Sequence, residues 1–132
     1  MSGQLGVNAP MPPAQRAATE GFDSVRVDYA GRRFQPRGAI GPTGSGLYHH
    51  EGSLVWAEFS GPTVTMGRLV GTSDADGVID AAYSMVTADG QVVAGTLQST
   101  PTVRPDGRVE LLERWRRMDG TSGVTYLEEV PA

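Results

Sequence analysis

Glu113 is the side chain whose setting is most informative about chemistry. In the stretch Arg108 to Arg116 it shares a period-two face with Val109, Leu111 and Trp115, while Arg108, Glu110, Arg114 and Arg116 take the opposite face. Only Leu112 spoils that alternation. A carboxyl on the apolar face of a strand loses its hydration, and desolvation raises its pKa unless a cation or hydrogen-bond donors compensate. Such a group can serve as a general acid or base. It can equally be a structural Glu tied to an Arg or Tyr across the fold, and the sequence leaves both readings open. Tyr83 shares a face with Ile79 and Met85. Its hydroxyl can donate to a ligand carbonyl or sit at the rim of an ordinary core. Glu113 and Tyr83 are therefore the candidate catalytic pair. Trp115, Leu111, Tyr126, Met85 and Trp56, with Phe59, are candidate walls of an apolar ligand site, although aromatics at strand spacing are also ordinary packing. Glu128 shares a face with Tyr126.

Other chemistries are weaker or excluded. Tyr48-His49-His50-Glu51 invites a metal reading, but successive strand residues face opposite sides, so only one of the two His can join a given cluster. Two His cannot make a three-His site, and solvated or hydrogen-bonded His is the better reading; no metal is expected. There are no cysteines, which removes disulfides, thiolate metal sites and a Cys nucleophile. Every basic residue is Arg, so Schiff-base chemistry and the P-loop lysine are absent as well. The glycine-rich run Gly38 to Gly46 lacks the spacing of a phosphate cradle. No Ser lies in a G-x-S-x-G context, so a hydrolase triad is unsupported. The cluster Arg114, Arg116 and Arg117 can bind an oxyanion, but pairing with Glu110 and other surface acids is the simpler account. No cofactor is expected.

The elements that must hold these residues read as β-strands. The chain has 132 residues, 18 of them Gly and 9 Pro, which suits one domain with many turns rather than long helices. Asp-Gly recurs at Asp76-Gly77, Asp89-Gly90, Asp106-Gly107 and Asp119-Gly120, between alternating apolar residues. That is the strongest short-range hairpin signal. Strands are expected over Val25–Tyr29, Leu47–Glu51, Ser53–Ser60, Thr63–Thr72, Val78–Ala88, Gln91–Thr100, Arg108–Met118 and Val124–Val130. Gly31 to Phe34 reads as a turn, Pro36 confines its own segment to an edge or loop, and Pro101 is expected to break its ladder. Gly67 and Gly71 fall inside a strand, as at sharply bent or closely packed barrel positions. In the last strand, Val124, Tyr126, Glu128 and Val130 read as one face and Thr125, Leu127 and Glu129 as the other.

Long strands joined in sequence by short turns favour an all-β, antiparallel up-and-down barrel of about eight strands over a sandwich, because closure removes exposed edges. A barrel of ~8 strands is either filled by side chains or just wide enough for one small ligand. Residues 1–23 read as a flexible N-terminal tail, with a helical turn or two over 13–20 as the alternative, and residues 24–132 as the barrel domain.

From Phe34 onward the chain resembles a family of small bacterial calycin-like β-barrels, many of which carry the automatic name "N-acetylglutamate synthase". The resemblance rests on Gly67-Arg-Leu-Val-Gly71, Asp76-Gly77-Val-Ile-Asp80, Tyr83, Gly90, Gly95, Ser99-Thr100-Pro101, Asp106-Gly107-Arg108-Val109, Leu111, Glu113-Arg-Trp115, Gly120, Gly123 and Leu127-Glu128-Glu129. It covers roughly the last hundred residues and is specific as a set. Two departures stand out. Thr102 comes after the Ser-Thr-Pro triplet where the family often has an acid, and Arg117 stands where a second aromatic often comes after the Trp. The activity in the automatic name is not expected here. The nearest string to a pyrophosphate loop, Gln35-Pro-Arg-Gly38-Ala-Ile40, has Ile at the required small residue and no helix after it.

Net charge −4 argues against a general nucleic-acid binder. No apolar run approaches ~18 residues, so no membrane span is expected. The start lacks a basic n-region and an apolar h-region, so the expected location is cytoplasmic. The all-Arg, Ala/Gly/Val-rich composition suggests a high-G+C bacterial genome. The leading functional expectation is binding of one small, mostly apolar organic molecule in the lumen. The alternatives are a cofactor-independent acid/base enzyme, such as an isomerase or cyclase of a biosynthetic intermediate, and a filled barrel acting through its surface. A small-molecule ligand or substrate is the expected partner, with a homodimer as an open alternative.

Overall fold

The computed structural model describes residues 27–39 and 43–131. Its strands are β1 (Arg33–Pro36), β2 (Ser45–Glu51), β3 (Leu54–Ser60), β4 (Val64–Ser73), β5 (Ile79–Thr87), β6 (Val92–Val103), β7 (Val109–Arg117) and β8 (Ser122–Val130). Each pairs antiparallel with the next, and β8 returns to β1, so the eight strands close into an up-and-down barrel. No helix occurs among the described residues. The expected fold class is the observed one. The expected tail, 1–23, lies outside the described residues.

The Asp-Gly dipeptides do set the hairpins. In the last of them, the Arg117 N–H donates to the Thr121 carbonyl at 2.8 Å and the Gly120 N–H to the Arg117 carbonyl at 3.0 Å. The other three repeat this pattern around Gly77, Gly90 and Gly107. It is a three-residue loop whose final residue must adopt the left-handed conformation, and the four glycines do so at φ of 81°, 89°, 87° and 93°. The Asp carboxylates belong to the same device: Asp106 and Asp119 each accept a backbone N–H two residues on, both at 2.9 Å.

The two ends of the barrel interior differ. At one end Tyr29, Val55, Ile79, Val109 and Leu111 are no more than 1% exposed and form a packed floor. Burying each such aliphatic side chain contributes roughly 1.5–3 kcal/mol. Tyr29 reaches the floor from the segment before β1. Its hydroxyl donates to the Gly77 carbonyl at 2.5 Å, its backbone N–H donates to Nδ1 of His50 at 3.1 Å, and its ring packs against Phe34, Tyr48 and His50. Toward the other end the side chains stop filling the barrel and leave a cavity.

Two strand expectations are corrected. Val27 and Tyr29 alternate with exposed Asp28 because both are buried in the floor, yet they pair with no strand; the alternation reports burial rather than a ladder. The first strand is instead β1, which pairs through Arg33 and Phe34 with β2 and through Arg33 to Pro36 with β8. Pro101 does not end β6: it stays in register with Leu111 of β7. β5 pairing stops at Ser99, so beyond that point β6 is an edge toward β5, where a missing N–H is tolerated.

Candidate functional site

The cavity occupies about 540 Å³ and opens at the end of the barrel that carries the β3–β4 and β7–β8 turns. Its walls are mainly apolar: Phe34, Phe59, Leu69, Met85, Leu97, Trp115 and Leu127. The hydroxyls of Thr43, Ser45, Ser60 and Thr63 line its rim side. Among the lining residues Glu113 is the one carboxylic acid and Arg117 the one cation. A lumen filled by Trp115 and Leu111 is the alternative, and the packing excludes it.

Glu113 is placed by β7, opposite Ser99 of β6 and Thr125 of β8 in the ladders. It makes no hydrogen bond or ion pair with another described residue. Burial alone pushes its carboxyl up to about 7. Tyr48 projects from β2 into the same cavity. Its phenol is held well above its ordinary range, first by burial and then by the negative charge of Glu113. Tyr83, from β5, also lines the cavity. The site thus holds one carboxyl and two phenols within an apolar enclosure. At neutral pH that carboxyl can be present as donor or acceptor, and it has no cation to fix it in the ionised form.

Trp115 forms one wall, and its orientation is set from two sides. Its indole N–H donates to Oγ1 of Thr125 at 3.1 Å. Beneath the ring lies Gly123, where any Cβ would stand 2.4 Å from Cζ2. Phe59 uses Gly67 in the same way, with a Cβ there coming within 2.1 Å of the ring. The two aromatic walls therefore occupy space that glycines on neighbouring strands leave vacant. Above Trp115, toward the mouth, the Arg117 guanidinium sits 5.4 Å from the indole centroid.

The residues expected at the site divide into three groups. Glu113, Tyr83, Trp115 and Met85 all line the cavity, as does Phe59. Leu111 points inward but belongs to the packed floor beneath it. Tyr126 and Trp56 are corrections. Tyr126 pairs with Leu112 on the outer face, is 49% exposed, and carries Arg37 over its ring at 4.5 Å. Trp56 stands outside between buried Val55 and Ala57, stacked on His49 at 5.2 Å. Glu128, which shares the face of Tyr126, accepts from the Gly38 N–H at 3.3 Å instead of meeting Glu113.

The His residues do separate to opposite faces. His49 hydrogen-bonds Glu58 at 2.8 Å on the outside, and His50 accepts from Tyr29 at the floor. Among the described residues no group of three His, Cys, Asp or Glu side chains could hold a metal ion.

Tyr48, Thr125 and Arg117 are site residues that the sequence alone does not single out. Tyr48 stands out there only within a metal-like string, although Gly46, Tyr48 and His50 share a face. For Thr125 the usable signal is the turn. A three-residue loop closing Arg117 on Thr121 puts Trp115 opposite Gly123 and Glu113 opposite Thr125, which fixes the inner face of β8 as Gly123, Thr125 and Leu127.

A family model described as avidin-like protein matches residues 27–130, a span that takes in all eight strands. This agrees with the small calycin-like barrel that the motifs imply. No curated protein and no solved structure matches the chain.

Proposed function

The chain belongs to the avidin-like family, and we propose that it binds one small, mostly apolar organic molecule in the open half of its barrel. The observation that carries this reading is the cavity of about 540 Å³, apolar in its walls and lined by a single carboxyl with no protein partner. Small-molecule sites commonly have volumes of roughly 300–1,000 Å³ and a few polar groups that fix orientation. Members of this family bind small molecules, which supports the same conclusion. Glu113, Tyr83 and Tyr48 are the orienting groups, and Trp115, Met85, Phe59 and Leu69 the apolar contact. The test is native mass spectrometry of gently purified protein, together with titration by the fluorescent neutral probe N-phenyl-1-naphthylamine. One bound molecule per barrel is expected in either experiment. A barrel that carries no copurified molecule and takes up no probe overturns the proposal.

One observation favours acid/base chemistry as a second reading. A carboxyl pushed up to about 7 is poised to accept and return a proton near neutral pH. In that reading Glu113 moves the proton, and the Tyr83 and Tyr48 hydroxyls stabilise the oxygen on which charge develops. Glu113→Gln then abolishes turnover while the ligand still binds. Unchanged turnover removes Glu113 from the mechanism.

A further inference from the structure

Glu113 and Arg117 lie on the same inward face of β7, with Trp115 between them. Four residues of strand separate the two by about 13 Å. Glu113 is deep, and Arg117 is at the mouth.

Arg117 is held but not neutralised. Its guanidinium rests against the Trp115 ring, its Nε is buried without a hydrogen-bond partner, and it forms no ion pair with another described residue. The nearby Asp119 carboxylate is occupied by the N–H and hydroxyl of Thr121, at 2.9 and 2.7 Å. No other charged group lines the mouth, which is otherwise bordered by hydroxyls and backbone. A cation stacked on an aromatic wall, with donors unspent and facing a cavity, is arranged to receive an acceptor.

We propose that Arg117 makes the lumen selective for carboxylate-bearing amphiphiles, with the carboxylate held at the mouth by the guanidinium and the apolar body running past Trp115 toward Glu113. This rests on the reading of the lumen as a ligand site. The opposite orientation is disfavoured, because a ligand carboxylate at the deep end would meet the Glu113 carboxyl, and two carboxylates sharing one site cannot both ionise without penalty. One guanidinium matches one carboxylate in charge and in fork geometry. An uncharged carbonyl or hydroxyl at the far end of the ligand would meet Glu113 in its neutral form.

Arg117 also stands where the resembling family often has an aromatic. An aromatic at that position would extend the apolar wall to the rim and give no preference for charge. The selectivity is therefore a property of this chain.

The experiment displaces N-phenyl-1-naphthylamine from the barrel with decanoate or with decanamide, two competitors of equal chain length that differ in charge. Decanoate is expected to compete at concentrations lower by about tenfold or more, the effect of one charge-assisted hydrogen bond. The preference should shrink as NaCl is raised. It should collapse toward unity in Arg117→Gln and return in part in Arg117→Lys, with folding of both variants followed by thermal melts. If decanamide competes as well as decanoate, or if the wild-type preference is indifferent to salt, the selectivity is overturned while lumen binding stands. A preference that survives in folded Arg117→Gln also overturns it. If the reporter does not bind at all, the lumen reading fails and this inference fails with it. The salt series on the wild-type protein decides the matter even where a variant does not fold.

Discussion

Trp115 covers Gly123: the two residues are paired across β7 and β8, and a Cβ on the glycine would stand 2.4 Å from Cζ2 of the indole. This relationship fixes the depth and tilt of the wall that separates Glu113 from the mouth. Gly123→Ala should push the indole off its hydrogen bond to Thr125 and destabilise the fold by about 1–3 kcal/mol, as overpacking does. Chemical denaturation measures the loss, and a shifted tryptophan emission reports the displaced ring. A variant of wild-type stability and emission would show that the ring does not depend on the vacancy beneath it.

The raised pKa of Glu113 makes stability pH-dependent with a definite sign. The folded protein keeps the proton up to about 7, whereas the unfolded chain releases it near 4.5. Between those values the folded state binds more protons, so this group's contribution to stability falls as pH rises and the penalty is complete above 7. Its size is on the order of 2–3 kcal/mol at most, because water entering the open cavity screens the charge. Tyr48 from β2, Tyr83 from β5 and Arg117 from β7 are the other titratable or charged groups lining the cavity. Glu113→Gln removes the titration. The difference in unfolding free energy between variant and wild type should grow in the variant's favour from pH 5 to pH 8. A difference that is constant with pH contradicts the assignment.

Tyr29→Phe should cost about 1–3 kcal/mol, since it deletes the buried donor to the Gly77 carbonyl and leaves that acceptor unsatisfied. The loss should appear in denaturant midpoint with little change in probe affinity, because Tyr29 lies in the floor and does not line the cavity. An equal loss of affinity would mean that floor and cavity are mechanically coupled.

Ser99 is fully buried, and its hydroxyl has no hydrogen-bond partner. Removing such a group relieves a desolvation cost and leaves a space the size of one oxygen. Ser99→Ala should therefore be neutral or stabilising by up to about 1 kcal/mol. Destabilisation instead would indicate that the hydroxyl engages the neighbouring Glu113 carboxyl, and the same pH series, repeated in this variant, would show it as a changed slope.

Barrel closure and the inner face of β7 are legible in the sequence because the signals are local: Asp-Gly turns and a period of two are written into short windows. The phase of β8 is not, because apolar residues occur on both its faces. Tyr126 and Val124 outside outweigh Leu127 inside as a hydrophobic pattern, and only counting pairs outward from the turn resolves them. Trp56 misleads for a similar reason, since its outer position is stabilised by stacking on His49 rather than by burial. Tyr29 shows a different limit. Its alternation with Asp28 is real, but periodicity records which side chains are buried and says nothing of whether the backbone finds a partner. The emptiness of the upper lumen is beyond reach from sequence, because it depends on how the rings of Phe59 and Trp115 settle over glycines on other strands.

The packed floor has a consequence for traffic. With Tyr29, Ile79 and Val109 sealing one end, whatever enters past Arg117 also leaves past it. Entry and exit then share a single transition state at the mouth. A change there that only narrows the passage slows arrival and departure by the same factor and leaves the equilibrium untouched, whereas a change that removes an attraction shortens residence far more than it alters arrival. Separate measurement of the two rates thus distinguishes a gate from an anchor at the same residue.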